Sequence, residues 1–402
     1  MLVETCIRKG LGLKAHRVVT VREEEDAIVA EIERIGRRRL RCSGCGGVTQ
    51  HTAGRRPMRR WRDLRLRDRP LVLAYQLYRV RCPRCGIRVE RVPWAARWAR
   101  VTTALARAVA LLARKLSWAE VAAHFGLDWK TVAAIVREAV ATGLRLRRWR
   151  PLHVIGVDEV SRAKGQTYLT LVYDLERHCL VWAGEGRTRD TIDGFFRWLG
   201  RRRGRAVRVV CCDMWDPYVE AVRTHLPQAE VVFDRFHVVQ HLNHAVDTVR
   251  REAWRVMSGR ERPAFKRTRF LWLKNPWNLE PAQRRRLSAL CRLNLPIVRA
   301  YLLKEEFQRF WDYVRSGWAE RHLRHWLGWA MRSRLEPVKR FARMINAHLP
   351  GIIAWTRVRV SNGALEGMNN KVKVIAHRAY GFRKAETYIA AIYHCCAELP
   401  LP

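Results

Sequence analysis

Two aspartates of this 402-residue sequence stand where buried β-strands are predicted. Asp158 lies within the apolar stretch HVIGVDEV, and Asp213 ends the apolar stretch AVRVVCCD. An ionised carboxylate in a buried strand costs several kcal/mol of folding free energy unless it is paired or holds a metal ion. Two carboxylates on adjacent strands, joined by a third from a packed helix, can hold two Mg²⁺ ions about 4 Å apart, the arrangement that cleaves and joins phosphodiesters. We therefore predict a metal site at these aspartates.

The third carboxylate predicted for this site is Glu366, in the stretch SNGALEGMNNKVKVIAHRAYGF that begins at Ser361. Either Ser361 or Asn362 is expected to cap a helix here. Residues four, seven and eleven positions after Glu366 share its helix face, so the acid can reach the metals while basic groups reach phosphates. The polar and basic residues expected to contact a phosphate backbone from this helix are Asn370, Lys371, Lys373, His377 and Arg378.

Other assignments stay open for the residues near these acids. Glu159 and Asp216 are alternative metal ligands, and Asp158 is alternatively a strand-end acid that pairs with Arg162. His237, in the stretch DRFH, either lies near the metals or is a packed, hydrogen-bonded histidine at a helix start.

Four cysteines stand in two C-x-x-C pairs, each followed by glycine. The two-residue gap lets both thiolates of a pair face one tetrahedral ion, and the glycine permits a tight turn that aims backbone N–H groups at the sulfurs. A strand-like stretch between the pairs allows two hairpins to bring them together as a zinc ribbon. Unrelated reduced thiols are the alternative. The predicted Zn²⁺ ligands are Cys42, Cys45, Cys82 and Cys85.

Residues 101–140 predict two or three helices, because apolar residues recur there at intervals of three and four. Gly126 supplies a turn, and Asp128 is the expected cap of a further helix that begins near Trp129. This pattern is typical of a helix-turn-helix, although a plain helical hairpin has similar periodicity. The DNA contacts predicted on the exposed faces of its second helix are Lys130, Thr131 and Arg137.

The charge of the chain is strongly unbalanced, with 78 Lys and Arg residues against 37 Asp and Glu residues and a formal net charge of +41. A polyanionic partner accounts for so few compensating acids, while a coding bias towards arginine explains part of the excess. The sequence shows no secretory signal and no apolar stretch of the roughly 18 to 20 residues that span a bilayer. We therefore expect a cytoplasmic protein that does not contact membranes.

The order of elements after Pro151 is three strands, a helix, a strand, a helix and a strand, which is the order of a ribonuclease-H-like core. In that fold the fourth strand neighbours the first, which brings Asp158 and Asp213 together. Residues 245–355 are rich in Trp, Arg and Leu and predict helices whose Trp side chains are mainly core residues. The predicted fold is α+β and multidomain: a zinc ribbon (1–98), a helix-turn-helix (99–150), the first part of a ribonuclease-H-like α/β catalytic core (151–244), an all-helical insertion (245–355) and the last part of the core (356–402).

Four motifs carry a resemblance to a known family. The stretches GVDE, CCDMWDPY, FDRFHVVQHLN and SNGALEGMNNKVKVIAHRAYGF, behind a double C-x-x-C and a helix-turn-helix, resemble the ISL-three family of bacterial insertion-sequence transposases over nearly the whole chain. The resemblance implies an N-terminal zinc finger and helix-turn-helix that bind terminal inverted repeats. It also implies a catalytic core with an Asp-Asp-Glu triad, to which Asp158, Asp213 and Glu366 correspond by position.

The function expected from the residues and the resemblance is that of a DNA transposase. It would recognise the ends of its element and carry out strand cleavage and transfer with Mg²⁺ or Mn²⁺, without a covalent protein intermediate. Its partners would be double-stranded DNA at the transposon ends and the target, bound by a homodimer because two ends must be held together. Such a protein would work in the bacterial cytoplasm, at the nucleoid when bound to DNA. The alternative is a non-catalytic DNA-binding regulator with a lapsed nuclease core, against which the presence of all three acids argues.

Overall fold

The computed structural model describes residues 3–13, 15–36, 39–163, 167–259, 262–293, 295–359 and 362–401. The chain forms two compact units. The first runs to Arg147 and also contains the residues from Leu399 onward, and the second runs from Arg148 to Glu398. Among the described residues, no helix is long and apolar enough to cross a membrane.

The first unit contains a five-stranded sheet and a small two-stranded ribbon. Its elements before residue 90 are α1 (Val3–Gly10), β1 (His16–Glu24), β2 (Ala27–Arg34), β3 (Leu40–Arg41), β4 (Val48–Thr49), β5 (Thr52–Leu66), β6 (Arg69–Cys82) and β7 (Gly86–Val89). The sheet order is β1-β2-β6-β5, and β7 also pairs with β6. Trp61, Leu73 and Tyr75 are buried in the core of this sheet. The hairpins β3–β4 and β6–β7 carry the two cysteine pairs.

Three helices complete the first unit: α2 (Thr103–Leu112), α3 (Trp118–Phe125) and α4 (Trp129–Leu146). Gly126 ends α3 in the left-handed conformation with φ +61°, and the Asp128 side chain accepts a hydrogen bond from the N–H of Lys130. The turn and the cap predicted from the sequence are therefore confirmed. Thr102 caps α2 and donates its hydroxyl to Asp63 of β5 at 2.5 Å, which connects the helices to the sheet.

The second unit begins with a mixed five-stranded sheet in the order β10-β9-β8-β11-β12. Strands β8, β9 and β10 form an antiparallel meander, whereas β11 runs parallel to both β8 and β12. The elements up to residue 256 are β8 (Val154–Ala163), β9 (Thr167–Asp174), β10 (Cys179–Glu185), α5 (Arg189–Gly204), β11 (Val209–Cys212), α6 (Asp216–His225), β12 (Glu230–Phe233) and α7 (Arg235–Val256).

A helical segment follows the sheet, and between residues 235 and 358 its described part contains no strand. It comprises α8 (Arg262–Phe265), α9 (Arg269–Leu273), α10 (Pro281–Cys291), α11 (Pro296–Gln308), α12 (Ser316–Arg332), α13 (Glu336–Ala347) and α14 (Leu349–Val358), with short 3-10 helices at Pro276–Asn278 and Arg309–Asp312. Trp272, Trp311 and Trp326 are buried in its core, as predicted, whereas Trp277 and Trp318 are exposed.

This helical segment shares one hydrophobic cluster with the sheet. The cluster runs from strand residues such as Ile155 to helical residues such as Phe307 and Ile345. At the contact between α14 and β12, a Cβ on Gly351 would lie only 2.5 Å from the ring of Phe233. The helices are thus packed directly against the strands.

Two C-terminal helices, α15 (Asn362–Arg378) and α16 (Ala385–Cys396), return to the sheet. Leu365 of α15 packs against Gly156 of β8. Tyr393 of α16 accepts a hydrogen bond from the N–H of Ala183 in β10 at 3.1 Å. The predicted capping residue Ser361 and the side chain of Asn362 lie outside the described part of the chain.

The contact between Gly156 and α15 leads to a stability prediction. A methyl group at Gly156 would overlap Leu365 Cδ1 and lie 2.8 Å from Leu175 Cδ2, so Gly156→Ala should destabilise the protein by about 1–3 kcal/mol. Gly367→Ala is the matched control, because nothing lies within 4 Å of a Cβ at that position of α15, and it should be neutral or stabilising by up to about 1 kcal/mol. Thermal melts of both variants test this prediction. Equal melting temperatures would contradict it.

Candidate functional site

The sheet register brings Asp158 and Asp213 to the same edge. Gly156 of β8 pairs with Cys211 of β11 in a parallel ladder, and each aspartate follows its member of that pair by two residues. The side chains are largely buried, with 13% of Asp158 and 16% of Asp213 exposed. The adjacency expected for these two acids is therefore present.

His237 lies between these aspartates, in the first turn of α7. Its Nε2 is 3.9 Å from Asp158 Oδ1, and its Nδ1 is 3.8 Å from Asp213 Oδ2. Its Nε2 is also 3.9 Å from Oδ2 of Asp234, which caps α7 by accepting a hydrogen bond from the N–H of Phe236. These distances are too long for hydrogen bonds but within the range of electrostatic attraction. Of the two interpretations of His237, the structure supports the one that puts it among the acids.

Asn369 holds the Asp158 carboxylate in place. Its side-chain N–H group donates a hydrogen bond to Asp158 Oδ2, and its Oδ1 accepts one from the hydroxyl of Tyr173 at 2.9 Å. The backbone N–H of Glu159 donates to the other Asp158 oxygen at 2.7 Å. Burial raises the pKa of the Asp158 carboxyl, while His237, the Glu159 N–H and Asn369 oppose that rise. The carboxylate is thus fixed in orientation but incompletely compensated in charge.

Asn369 was not among the residues predicted for this site, whereas its exposed neighbour Asn370 was. The signal for Asn369 is its spacing, because it shares the buried face of α15 with Leu365, Met368 and Val372. A polar residue on an apolar helix face needs a hydrogen-bond partner. The sequence does not identify that partner, because Asp158 precedes Asn369 by 211 residues.

The alternatives to Asp158 and Asp213 have other partners. Glu159 forms an ion pair with Arg187 at 3.1 Å, and burial raises the pKa of its carboxyl while a Tyr218 hydrogen bond opposes the rise. Asp216 is 3.6 Å from His348, and its side chain is 79% exposed. Arg162, the alternative partner of Asp158, instead contacts Glu185 at 3.6 Å.

Glu366 is exposed on α15, one residue beyond the contact between Leu365 and Gly156. It forms no ion pair with any residue in the described ranges. Within those ranges, the four cysteines are the only group of three or more Cys, His, Asp or Glu residues whose ligand atoms all lie within 4.8 Å of one another. The structure therefore unites Asp158 with Asp213 around His237, but it does not bring Glu366 into direct contact with them.

The predicted DNA contacts are mostly exposed. Residues 370, 371, 373 and 377 of α15 are exposed together with Glu366, while Arg378 is half-buried with its guanidinium 3.7 Å from Cys395 Sγ. In α4, Lys130 and Arg137 are exposed and Thr131 is half-buried.

The four cysteines form a compact cluster in the first unit. Cys45 Sγ and Cys82 Sγ are 3.5 Å apart, and backbone N–H groups of Gly44 and Gly47 donate to Cys42 Sγ and Cys45 Sγ at 3.3 and 3.4 Å. The glycine after each pair has positive φ, +73° and +68°, as the tight turn requires.

The four thiols lie close enough to shift one another's pKa values. The Gly47 N–H lowers the pKa of the Cys45 thiol, and the hydrogen bond to Cys45 raises the pKa of Cys85 to about 12. Four thiolates this close together repel one another unless a cation lies between them, and a tetrahedral set of four sulfurs is the donor set of structural zinc sites. The cluster can therefore hold a metal ion of this kind.

Comparison with known proteins gives two family matches. A family described as "Transposase" matches residues 155–392, and a family described as "Helix-turn-helix domain of transposase family ISL3" matches residues 90–140. The first match spans the sheet of the second unit, the helical segment, α15 and most of α16. The second match spans α2, α3 and most of α4.

Curated relatives carry the same description. The transposase for insertion sequence element IS1001 of Bordetella parapertussis is 34% identical over 356 residues, which cover 87% of this chain and 87% of that protein. The transposase for insertion sequence element IS1557 of Mycobacterium tuberculosis (strain ATCC 25618 / H37Rv) is 32% identical over 397 residues, which cover 92% of this chain and 89% of that protein. The chain therefore belongs to the ISL3 family of insertion-sequence transposases.

Proposed function

We propose that this chain binds the terminal inverted repeats of its insertion sequence and catalyses metal-dependent DNA strand cleavage and transfer. The observation that carries the proposal is the meeting of Asp158 and Asp213 at one sheet edge, around His237, in a family of transposases. The alternative of a non-catalytic regulator is not favoured, because the curated relatives are transposases along nearly their whole length.

The sheet supports a ribonuclease-H-like assignment for the catalytic core. An antiparallel meander joined through its first strand to a parallel pair, in the order β10-β9-β8-β11-β12, is the strand arrangement expected from the sequence. On this assignment residues 245–355 are an insertion, and residues 356–402 return the last acid, Glu366, to the core. The packing of Leu365 on Gly156 supports that return.

Asp158, Asp213 and Glu366 are the proposed ligands of Mg²⁺, or of Mn²⁺. Their hard carboxylate oxygens suit these ions, and the incompletely compensated charge of buried Asp158 favours a cation beside it. When bound, such ions activate the attacking oxygen and stabilise the leaving oxygen of phosphoryl transfer. The chain itself orients Asp158 through Asn369, and His237 provides an imidazole within 4 Å of both aspartates.

The remaining groups are assigned to DNA and zinc. The four cysteines hold Zn²⁺ in a ribbon, and α4 acts as the recognition helix.

The protein works as a homodimer on DNA, because two transposon ends must be held together. It does so in the bacterial cytoplasm, at the nucleoid. The proposed DNA contacts are Lys130, Thr131 and Arg137 in α4, and Asn370, Lys371, Lys373 and Arg378 in α15.

The carboxylate triad is tested by removing one charge at a time. Glu366→Gln, Asp158→Asn and Asp213→Asn should each reduce Mg²⁺-dependent cleavage of end-containing DNA by roughly 100-fold or more, because each removes a metal ligand. DNA binding should hardly change. Glu386→Gln, at another exposed acid of the C-terminal helices, is the control and should cleave normally. Wild-type cleavage by Glu366→Gln beside an inactive Asp158→Asn would exclude Glu366 as the third ligand.

The positioning role of Asn369 predicts a shift in metal dependence. Asn369→Ala leaves Asp158 Oδ2 and the Tyr173 hydroxyl without their shared partner, so cleavage should fall roughly 10- to 100-fold. Raising the Mg²⁺ concentration should partly restore it. Asn370→Ala is the neighbouring control and should weaken DNA binding without moving the Mg²⁺ dependence. Unchanged Mg²⁺ half-saturation in Asn369→Ala would refute the positioning role.

The zinc assignment is tested by metal analysis of the intact protein purified without chelator. The wild type should contain about one equivalent of zinc, whereas Cys42→Ser and Cys82→Ser should contain less than about half an equivalent, because each loses one of four thiolates. Cys291→Ser, at a half-buried cysteine of the second unit, should keep its zinc. Less than about half an equivalent in the wild type would count against the site.

A further inference from the structure

We infer that the first unit binds a segment of duplex DNA backbone in an arginine-lined groove on its sheet, beyond the bases reached by α4. The groove has a volume of about 730 Å³. Its exposed basic and aromatic lining is Arg56, Arg79, Arg88, Arg91, Arg97 and Trp98. This inference rests on the proposed DNA-binding function and adds a second contact surface to it.

The charge of this groove is uncompensated. The five arginines are exposed, and none of them forms an ion pair with any acid in the described ranges. The acid that lines the groove, Glu90, is buried and already accepts hydrogen bonds from the hydroxyl of Tyr75 and the N–H of Tyr78 at 2.9 and 2.8 Å. Arg34 lies 3.6 Å from its other oxygen. Like charges gathered without counter-charges favour an anionic ligand, and a phosphate backbone supplies several anions in a row.

Trp98 projects from an anchored turn beside these arginines. It has a positive φ of +66°, which is strained for a bulky side chain, and yet it is 66% exposed. Two hydrogen bonds from β5 anchor the turn. The Arg59 side chain donates to the carbonyl of Ala99 at 2.8 Å, and the N–H of Arg62 donates to the carbonyl of Arg100 at 3.0 Å. Strained residues cluster at binding and catalytic sites, so an exposed ring held in this conformation beside the arginines is a candidate ligand contact. Arg97 lies over this ring, with its Cζ 5.4 Å from the ring centroid, and the exposed part of the ring offers an apolar contact to a deoxyribose of the duplex backbone.

The groove continues towards the recognition helix. A second depression is lined by Trp98, by Arg100 and Arg107, and by Lys130 and Thr131 at the start of α4. Trp98 therefore borders both depressions. A ligand at the start of α4 that passes Trp98 would enter the arginine groove. This continuity identifies the occupant as the duplex read by α4, with the groove holding backbone that flanks the bases in contact with that helix.

Salt-dependent binding measurements on the full chain test this inference. The probes are duplexes tiled across the DNA that flanks the coding region. Arg79→Ala/Arg88→Ala should weaken binding roughly 10- to 100-fold, and it should lower the slope of log K against log salt by about 2, because two phosphate contacts are lost. Trp98→Ala should weaken binding roughly 5- to 100-fold, with partial recovery in Trp98→Phe.

A matched control removes two exposed arginines outside the groove, Arg65 in β5 and Arg67 in the turn between β5 and β6. Arg65→Ala/Arg67→Gly acts at the far end of β5, where Arg65 pairs with Pro70, and glycine tolerates the positive φ of +59° at Arg67. We expect less than about a threefold change and an unchanged salt slope in this control. Equal losses in the groove and control variants would overturn the inference in favour of diffuse charge, and unchanged binding in the groove variants would also overturn it.

Two further comparisons separate this inference from the proposed function. Loss of DNA binding in Lys130→Ala with normal binding in the groove variants would overturn the inference about the groove and leave the proposed function intact. A wild-type protein that binds none of the duplexes would overturn both. Zinc content and melting temperature equal to those of the wild type establish that the groove variants are folded.

Discussion

The charge of Asp158 inside a sheet is the constraint on which the second unit depends. Burial disfavours the ionised form, so the surrounding elements must supply compensation. They do so from three separate parts of the chain: α7 brings His237, α15 brings Asn369, and β9 brings Tyr173 to hold Asn369. Together they fix one carboxylate in one orientation, at the edge where Asp213 also emerges.

The local features of this fold could be predicted from the sequence. The turn at Gly126, the cap at Asp128 and the glycine after each cysteine pair follow from conformational preferences of single residues. The adjacency of β8 and β11 follows from the order of strands and helices, because parallel strands need crossovers and these leave few topologies.

The pairing of side chains over long distances could not be predicted in this way. Asn369 and Asp158 are 211 residues apart, and no residue near either of them in the sequence indicates the hydrogen bond between them. The sequence also does not identify the ion-pair partner of Glu159, because it contains many arginines. The structure shows that this partner is Arg187. In an arginine-rich sequence each acid has several possible basic partners, so its ion pair cannot be assigned from the sequence alone.

The last described residues of the chain have a consequence for how the protein is made. Leu399 is buried in the first unit, and its carbonyl accepts a hydrogen bond from Arg114 at 2.7 Å. It packs so closely on α4 that a Cβ added to Gly143 would lie 2.8 Å from the Cβ of Leu399. The helices of the first unit are therefore not fully covered until the ribosome has added residues that follow the whole second unit. A chain that ended before Leu399 would lack this covering segment even if α15 and α16 were complete. The burial of the helices around α4 thus depends on a residue that is synthesised after Glu366.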